Sequence, residues 1–181
     1  MIRIISGTLK GRKIKAPDNL PVRPTTDFAK EALFNILNNR VDFESIRVLD
    51  LFSGTGNISY ELASRGCPDI TCVEKDERCA RFIITTAREF SFSGIHVIKT
   101  DVFRFLESAN GKWDLIFADP PYEMKGNELL PGIIMSKALL NPEGILIIEH
   151  SERQKFTDTT HLLEHRKYGK VNFSIFGYRN V

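Results

Sequence analysis

No run of this 181-residue chain is apolar for long enough to cross a bilayer, which takes about 20 residues. The N-terminus has basic and turn residues where the apolar core of a secretory signal would stand. A cytoplasmic location and no membrane partner are therefore expected. Cysteine is scarce: Cys67, Cys72 and Cys79 are odd in number and form no CxxC pair. They read as reduced thiols, and no metal is expected. Internal repeats, low-complexity tracts and any sign of a second domain are also missing, so the expectation is one domain over 1–181. A large net charge is absent too, at +2 overall. Its placement, however, is uneven. Residues 1–26 hold Arg3, Lys10, Arg12, Lys13, Lys15 and Arg23 against one acid, Asp18, and the remainder is slightly acidic. A basic arm on an acidic body suggests a polyanionic partner, a nucleic acid, met by the arm.

What is present alternates. Ile2–Ile5 and Gly11–Lys15 suggest a small hairpin carrying its cations on one face. A proline-rich connector, 16–24, leads to cap candidates at Thr25–Asp27. Phe28, Ala32, Leu33, Ile36 and Leu37 then recur at helical spacing over 27–38. From Val48 short apolar strands alternate with helices: strands at 48–52, 70–73, 95–98, 113–118 and 145–149, helices at 57–64, 76–90, 102–107 and 128–139. Asn141–Gly144 reads as a turn into the fifth strand. Segments 161–165 and 171–178 read as an antiparallel closing pair. Near-continuous apolar strands separated by helices predict an α/β domain, a mostly parallel sheet covered on both faces.

Ligands in such sheets sit outside the carboxyl ends of the strands. Four consecutive strands place an acid there: Asp50, Glu74, Asp101 and Asp119. The loop Ser53-Gly54-Thr55-Gly56 resembles a dinucleotide fingerprint, but Ser59 stands where its third glycine belongs. Asp50 would also repel a diphosphate. A nicotinamide-dependent oxidoreductase fails on both counts, and an uncharged or cationic nucleoside suits the loop better. Glu74 is placed to accept hydrogen bonds from ribose hydroxyls. After the fourth strand comes Asp119-Pro120-Pro121-Tyr122. Two prolines stiffen the turn and remove two backbone donors. Carbonyl and carboxylate acceptors are thereby held beside an aromatic ring, as a clamp for a planar base bearing an amine requires. The competing reading is a plain strand stop with a surface tyrosine. One distracting pattern, His161-x-x-Glu164-His165, matches that of some zinc peptidases, but it lies late, in a short segment with no further ligand in context.

The series Asp50-x-Phe52-x-Gly54-x-Gly56, Glu74, Asp101 and Asp119-Pro-Pro-Tyr resembles the motifs of class I S-adenosylmethionine-dependent methyltransferases. Its last member resembles the amino-methyltransferase signature (Asn/Asp)-Pro-Pro-(Tyr/Phe). Ile5-Ser6-Gly7, Lys10-Gly11-Arg12-Lys13, Arg23-Pro24-Thr25-Thr26 and Lys30-Glu31-Ala32-Leu33-Phe34-Asn35 resemble the RsmD family. Those enzymes methylate the exocyclic amine of one guanine in bacterial small-subunit ribosomal RNA. Lys30 departs from that pattern, where arginine is the more frequent residue.

The resemblance implies a Rossmann-like class I methyltransferase fold with a seven-stranded sheet, preceded by a basic hairpin and helix. It implies that 1–40 is an RNA-binding extension covering the active site. S-adenosylmethionine would be the cofactor, held by Asp50, Phe52, Gly54, Gly56 and Asn57 on the methionine side. Glu74 and Lys75 would hold the ribose, with Asp101 and Val102 near the adenine. Asp119, Pro120, Pro121 and Tyr122 would clamp and stack the target base. Arg3, Lys10, Arg12, Lys13, Arg23, Pro24 and Thr25 would meet substrate. The implied partner is small-subunit ribosomal RNA, met by the arm within a ribosomal particle or assembly intermediate, and a monomer is the working expectation. The rival is an adenine amino-methyltransferase acting on DNA or another RNA, since the same tetrapeptide serves there. A second rival keeps the fold as an RNA-binding module without catalysis.

Overall fold

The computed structural model describes residues 1–20 and 26–179. Strands β1 (Ile2–Arg3) and β2 (Lys13–Ile14) pair antiparallel, Ile2 opposite Ile14, as the expected hairpin. Its apolar side chains, Ile2, Ile4 and Ile14, join the main core while Lys10, Arg12, Lys13 and Lys15 stay exposed. Gly7, at φ +80°, is obligatory at this contact. A Cβ there would lie 1.8 Å from the Ser64 carbonyl oxygen, so the hairpin is pressed against the backbone of the second helix.

Helix α1 (Asp27–Leu37) is capped by Thr26, whose side chain accepts from the Ala29 amide. Its buried stripe differs from the expected one at its start. Phe28 is exposed, its ring beside Gly169 in the turn between the last two strands, and Lys30 is wholly buried instead.

The remaining elements run in the expected order: β3 (Arg47–Leu51), α2 (Asn57–Ser64), β4 (Asp69–Glu74), α3 (Glu77–Glu89), β5 (Ile95–Lys99), α4 (Val102–Ser108), β6 (Trp113–Ala118), α5 (Leu130–Ser136), β7 (Leu140–His150), β8 (Leu162–Tyr168) and β9 (Val171–Gly177). They form a seven-stranded sheet in the order β5-β4-β3-β6-β7-β9-β8. The first five strands are parallel, and β9 and β8 are antiparallel additions. Successive residues of a strand serve opposite faces. Val48, Leu115 and Phe117 enter one core with α1, α2 and α3, whereas Leu49, Ile116 and Ala118 enter the other with α4 and α5. The continuous apolar runs are thus explained by burial on both sides.

Two boundaries depart from expectation. The fourth helical segment is shorter, a 3₁₀ turn at Asn127–Leu129 followed by α5. The expected turn at Asn141–Gly144 lies inside β7. Trp113 pairs with Leu140 and Leu115 with Ile145, so the extra residues are absorbed as a bulge, a place where Pro142 is tolerated. Among the described residues no helix is long and apolar enough to cross a membrane. The chain winds outward from β3 to β5 and returns to β6, so β3 and β6 flank the switch point at which ligands of this architecture bind.

Candidate active site

The loop leaving β3 is built on left-handed backbone. Phe52 (φ 62°), Gly54 (φ 55°) and Gly56 (φ 79°) all lie in the region that favours glycine. At Gly56 a Cβ would sit 2.8 Å from the Tyr60 ring, so both conformation and space demand glycine there. Phe52 has no such freedom, and a non-glycine residue held there costs on the order of 1–3 kcal/mol, a strain of the kind that collects at ligand sites. The loop is tied down on several sides. Ser53 Oγ donates to the Asp50 carbonyl at 2.7 Å, and the Gly56 amide donates to the Ser53 carbonyl at 2.7 Å. Glu74, at the end of β4, accepts from the Gly54 amide at 2.8 Å and from the Asp76 amide at 2.8 Å. It therefore clamps the loop to the second strand of the parallel set, and each oxygen keeps a lone pair for a further donor.

Asp50 is buried inside β3 and accepts a hydrogen bond from Ser59 Oγ. Ser59 occupies the place of the missing third glycine, and its hydroxyl is the carboxylate's own partner. Burial pushes the Asp50 carboxyl up to about 7; the Ser59 bond opposes this, and the charges of Asp119 and Glu74 add to it. Burial also raises Glu74, against the pull of its amide donors.

Beyond β6, the Pro-Pro turn is pinned from one side. Asn127 Nδ2 donates to the Pro121 carbonyl at 2.9 Å, and the Met124 amide donates to the same oxygen at 2.9 Å. No donor among the described residues reaches the Asp119 carboxylate, and burial holds its proton affinity well above the usual carboxylate range. Ala118 pairs with Ile148 across the parallel strands, so the next residues, Asp119 and Glu149, emerge side by side. Glu149 is buried, bonded by the Tyr122 phenol, and raised by burial and by the Asp119 charge. Tyr122 itself is 49% exposed. With Glu123 and residues 151–154 it lines an open cleft of about 510 Å³, room for a nucleobase.

Three of the four acids singled out from the sequence, Asp50, Glu74 and Asp119, thus share one electrostatic site. Asp101 behaves differently: its Oδ1 accepts from the Phe103 and Arg104 amides and caps α4. Val102 is buried in the second core, which leaves its backbone rather than its side chain for a ligand, and Lys75 is exposed. Asn57, just after the glycine loop, is buried, and its Oδ1 accepts from Lys30 Nζ at 2.9 Å. That ammonium also donates to the Arg3 carbonyl and lies 3.7 Å from Glu61. Glu61 in turn accepts from the Ile5 amide (2.7 Å), the Ser6 amide (2.9 Å) and Arg65 Nε (2.9 Å). A wholly buried charge network therefore joins the N-terminal arm to the glycine loop.

Within that arm the basic residues of the hairpin are not equivalent. Arg3 is engaged by Asp27 at 3.0 Å and Glu31 at 3.4 Å. Arg12 lies 5.3 Å over the Phe90 ring. Lys10 and Lys13 are exposed and make no ion pair among the described residues. Arg23, Pro24 and Thr25 lie outside the described residues.

The zinc-peptidase pattern falls on extended chain at the start of β8, not on a helix. Four residues of strand separate the two histidines by about 13 Å, too far for one ion. His161 bonds Asp158 at 2.8 Å, and Glu164 pairs with Arg40 and Arg166. Among the described residues no group of three or more His, Cys, Asp or Glu could hold a metal.

Sequence reasoning missed Glu149 and Glu61, and met Lys30 only as a departure from the family pattern. Glu149 was within reach, since it ends the fifth strand as the other acids end theirs. Lys30 and Glu61 carry no local signal.

Comparison with known proteins places these features in context. The family model described as conserved hypothetical protein 95 matches residues 2–177. The putative rRNA methyltransferase YlbH of Bacillus subtilis is 31% identical, over 98% of this chain and 100% of its own. Ribosomal RNA small subunit methyltransferase D of Escherichia coli K12 is 29% identical over 82% of this chain and 74% of its own. A hypothetical protein of Thermus thermophilus superimposes with a TM-score of 0.84 at 28% identity, covering 98% of this chain and 100% of its own. A putative methyltransferase from Escherichia coli does so at 0.82 and 26%, covering 97% and 96%.

Proposed function

The chain belongs to the conserved hypothetical protein 95 family, the RsmD family its motifs resemble, and on that premise we propose that it methylates the exocyclic amine of a guanine in small-subunit ribosomal RNA, with S-adenosylmethionine as donor. One observation carries this reading: an Asp-Pro-Pro-Tyr turn, braced by Asn127, stands at the switch point beside a glycine loop walled by buried acids. The donor fits these residues. Asp50 and Glu74 favour a ligand with a cationic end and hydroxyl donors, and would reject a diphosphate.

When bound, S-adenosylmethionine supplies a methyl group on a positively charged sulfur. The protein's part is to present the nucleophile. The lone pair of a base's exocyclic amine is delocalised into the ring. Acceptors on its N–H bonds, the Asp119 carboxylate and the Pro120 carbonyl, return density to nitrogen and aim it, so positioning carries most of the rate. The raised proton affinity of Asp119 suits that oxygen to take the proton the amine releases as its new bond forms. Tyr122 stacks on the base, which must be unstacked from its neighbours to enter. Residues 1–40 act as the RNA-binding extension, with Lys10 and Lys13 on phosphates that position the RNA without reading its sequence. An assembled particle or assembly intermediate is the substrate consistent with so short an arm.

Tyr122→Ala should raise KM for RNA about 5- to 150-fold, the equivalent of about 1–3 kcal/mol of stacking, with little change in donor affinity. Steady-state kinetics with RNA varied at saturating donor would check this. The pH dependence of donor binding has a definite sign. A cationic ligand favours ionised Asp50, whose folded-state value near 7 exceeds the unfolded 3.8. Below 7 the ligand must expel a proton on binding, so affinity should weaken by up to about tenfold per pH unit and level off above about 8. Calorimetry between about pH 5.5 and 8.5 reads this directly, and Asp50→Asn should flatten the profile.

The functional reading is tested by transfer of a labelled methyl group to small-subunit particles from cells lacking the enzyme, to the naked RNA and to duplex DNA. Label in small-subunit RNA is expected. Label in DNA alone would favour the adenine amino-methyltransferase, and a chain that failed to bind S-adenosylmethionine would favour the RNA-binding module.

A further inference from the structure

No ion pair among the described residues explains why Glu149 is an acid. It is 6% exposed at the carboxyl end of β7, and no cation among the described residues pairs with it. A buried carboxyl without a counter-ion is costly, and an apolar side chain would serve the fold better. What it has is a position. The in-register pairing of Ala118 with Ile148 sets Glu149 beside Asp119, at the ends of neighbouring parallel strands whose backbones run about 4.8 Å apart. With Pro120 and Asn127, Glu149 also lines a narrow pocket that shares Tyr122, Ser151 and Gln154 with the open cleft. The Tyr122 phenol donates to it, which leaves the rest of its acceptor capacity unused. A second observation on the same wall points the same way. Asn127 is 2% exposed, spends its amide nitrogen on Pro121, and leaves its Oδ1 buried with no partner. On this wall Glu149 and Asn127 Oδ1 therefore both offer acceptor capacity.

The Watson–Crick edges of the two purines differ in this respect. Guanine presents two adjacent donors, N1–H and the 2-amine. Adenine presents its amine beside a bare N1 lone pair, which an ionised Glu149 would repel. We propose that Glu149 accepts the N1–H of the target guanine while Asp119 accepts from its amine, so that the pair, rather than Asp119 alone, selects guanine over adenine. This rests on the reading of the site as an RNA guanine methyltransferase. A site built to bond a polar edge rejects a base lacking it far more strongly than an apolar pocket could, because its own buried groups are left unpaired.

The test uses a substrate that keeps the amine and changes only the neighbouring edge. The methylated guanine is mapped by mass spectrometry, and small-subunit ribosomal RNA is rebuilt by ligation with guanine or 2-aminopurine at that position. 2-Aminopurine retains the 2-amine, replaces N1–H by a lone pair and lacks the oxygen at position 6. Wild type should prefer guanine by about 100-fold or more in kcat/KM. Glu149→Gln can still accept from Tyr122 but turns its amide nitrogen toward the base. It should lose activity on guanine, hold or gain it on 2-aminopurine, and narrow the preference at least about tenfold. Loss of the position-6 oxygen affects both proteins alike, so the ratio of ratios isolates N1.

If Glu149 merely orients the Tyr122 ring, both substrates will suffer together and the ratio will stay unchanged, which overturns the assignment. A wild type that accepts both bases equally overturns it without any variant, so the test survives if Glu149→Gln does not fold. A wild type that methylates no guanine in any RNA overturns the functional reading instead, an outcome distinct from guanine methylation with an unchanged ratio.

Discussion

Asp119→Ala should abolish methyl transfer, lowering kcat by about a thousandfold or more, while S-adenosylmethionine affinity changes by no more than about threefold. The size follows from what the carboxylate does. It is an acceptor for the reacting amine and the receiver of its proton, and a positioned group of this kind is worth about 10²–10⁴ in rate. Loss of orientation adds to that. Donor affinity survives because Asp50, Glu74 and the glycine loop are held by their own bonds, none of which involves Asp119. Stability should not suffer. The folded-state proton affinity of Asp119 lies above its unfolded value of 3.8, so its ionised form penalises folding once the pH exceeds that value. The alanine variant should melt at or above the wild-type temperature near pH 8, as expected where stability is traded for function. Asp119→Asn keeps one acceptor and the shape, and the signature to which this turn belongs admits asparagine. It should retain more activity than the alanine variant. Equal loss in both would assign the rate to proton transfer rather than to aiming the amine. Single-turnover transfer and donor calorimetry on the same preparations separate these terms.

Glu61→Ala should be the most destabilising single change outside the apolar core. The carboxylate is fully buried, and four donors converge on it: the Ile5 and Ser6 amides, Arg65 and the Lys30 ammonium. Its removal strands a buried cation whose charged form burial already disfavours. Removing one partner of such a pair costs about 3–5 kcal/mol. For a chain of this size that corresponds to a fall in melting temperature of about 6–20 °C. The damage has a direction as well as a size. Both lost amide bonds belong to the segment leaving β1, so the arm should loosen before the sheet does. Trypsin should cut at Lys10–Lys15 faster in the variant, and RNA methylation should fall more than donor affinity does. Intact arm protection with a lowered melting temperature would show that Glu61 serves α2 alone.

Much of the architecture was legible because it rests on patterns that burial enforces. Strands covered on both faces must be apolar throughout, and the sequence from Val48 to Ile148 shows such runs with glycine, proline or acid at their ends. The switch point follows from that order, and the acids gathered there follow from the switch point. Tertiary partners were not legible. Lys30 and Glu61 look like any solvated charge on an amphipathic helix, and only the approach of β1 to α2 turns them inward. That Asp101 caps α4 was not legible, because a strand end and a helix cap look alike in one dimension. Ser59 was read as a missing glycine, although its hydroxyl holds Asp50 in place. Phe28 fits a helical stripe by spacing but falls in a first turn that the core does not reach. The bulge in β7 preserved the turn chemistry of Asn141–Gly144 while continuing the strand, a combination that no local rule distinguishes from a loop.

Nucleoside mass spectrometry offers the most direct check on the amine clamp and its target. Small-subunit particles from cells lacking the enzyme are incubated with the purified protein and S-adenosylmethionine, and the RNA is then digested to nucleosides. A single new species, N2-methylguanosine, is expected, absent with Asp119→Ala and diminished with Tyr122→Ala. N6-methyladenosine, or a product whose yield is indifferent to Asp119, would contradict both the clamp and the base it is built to hold.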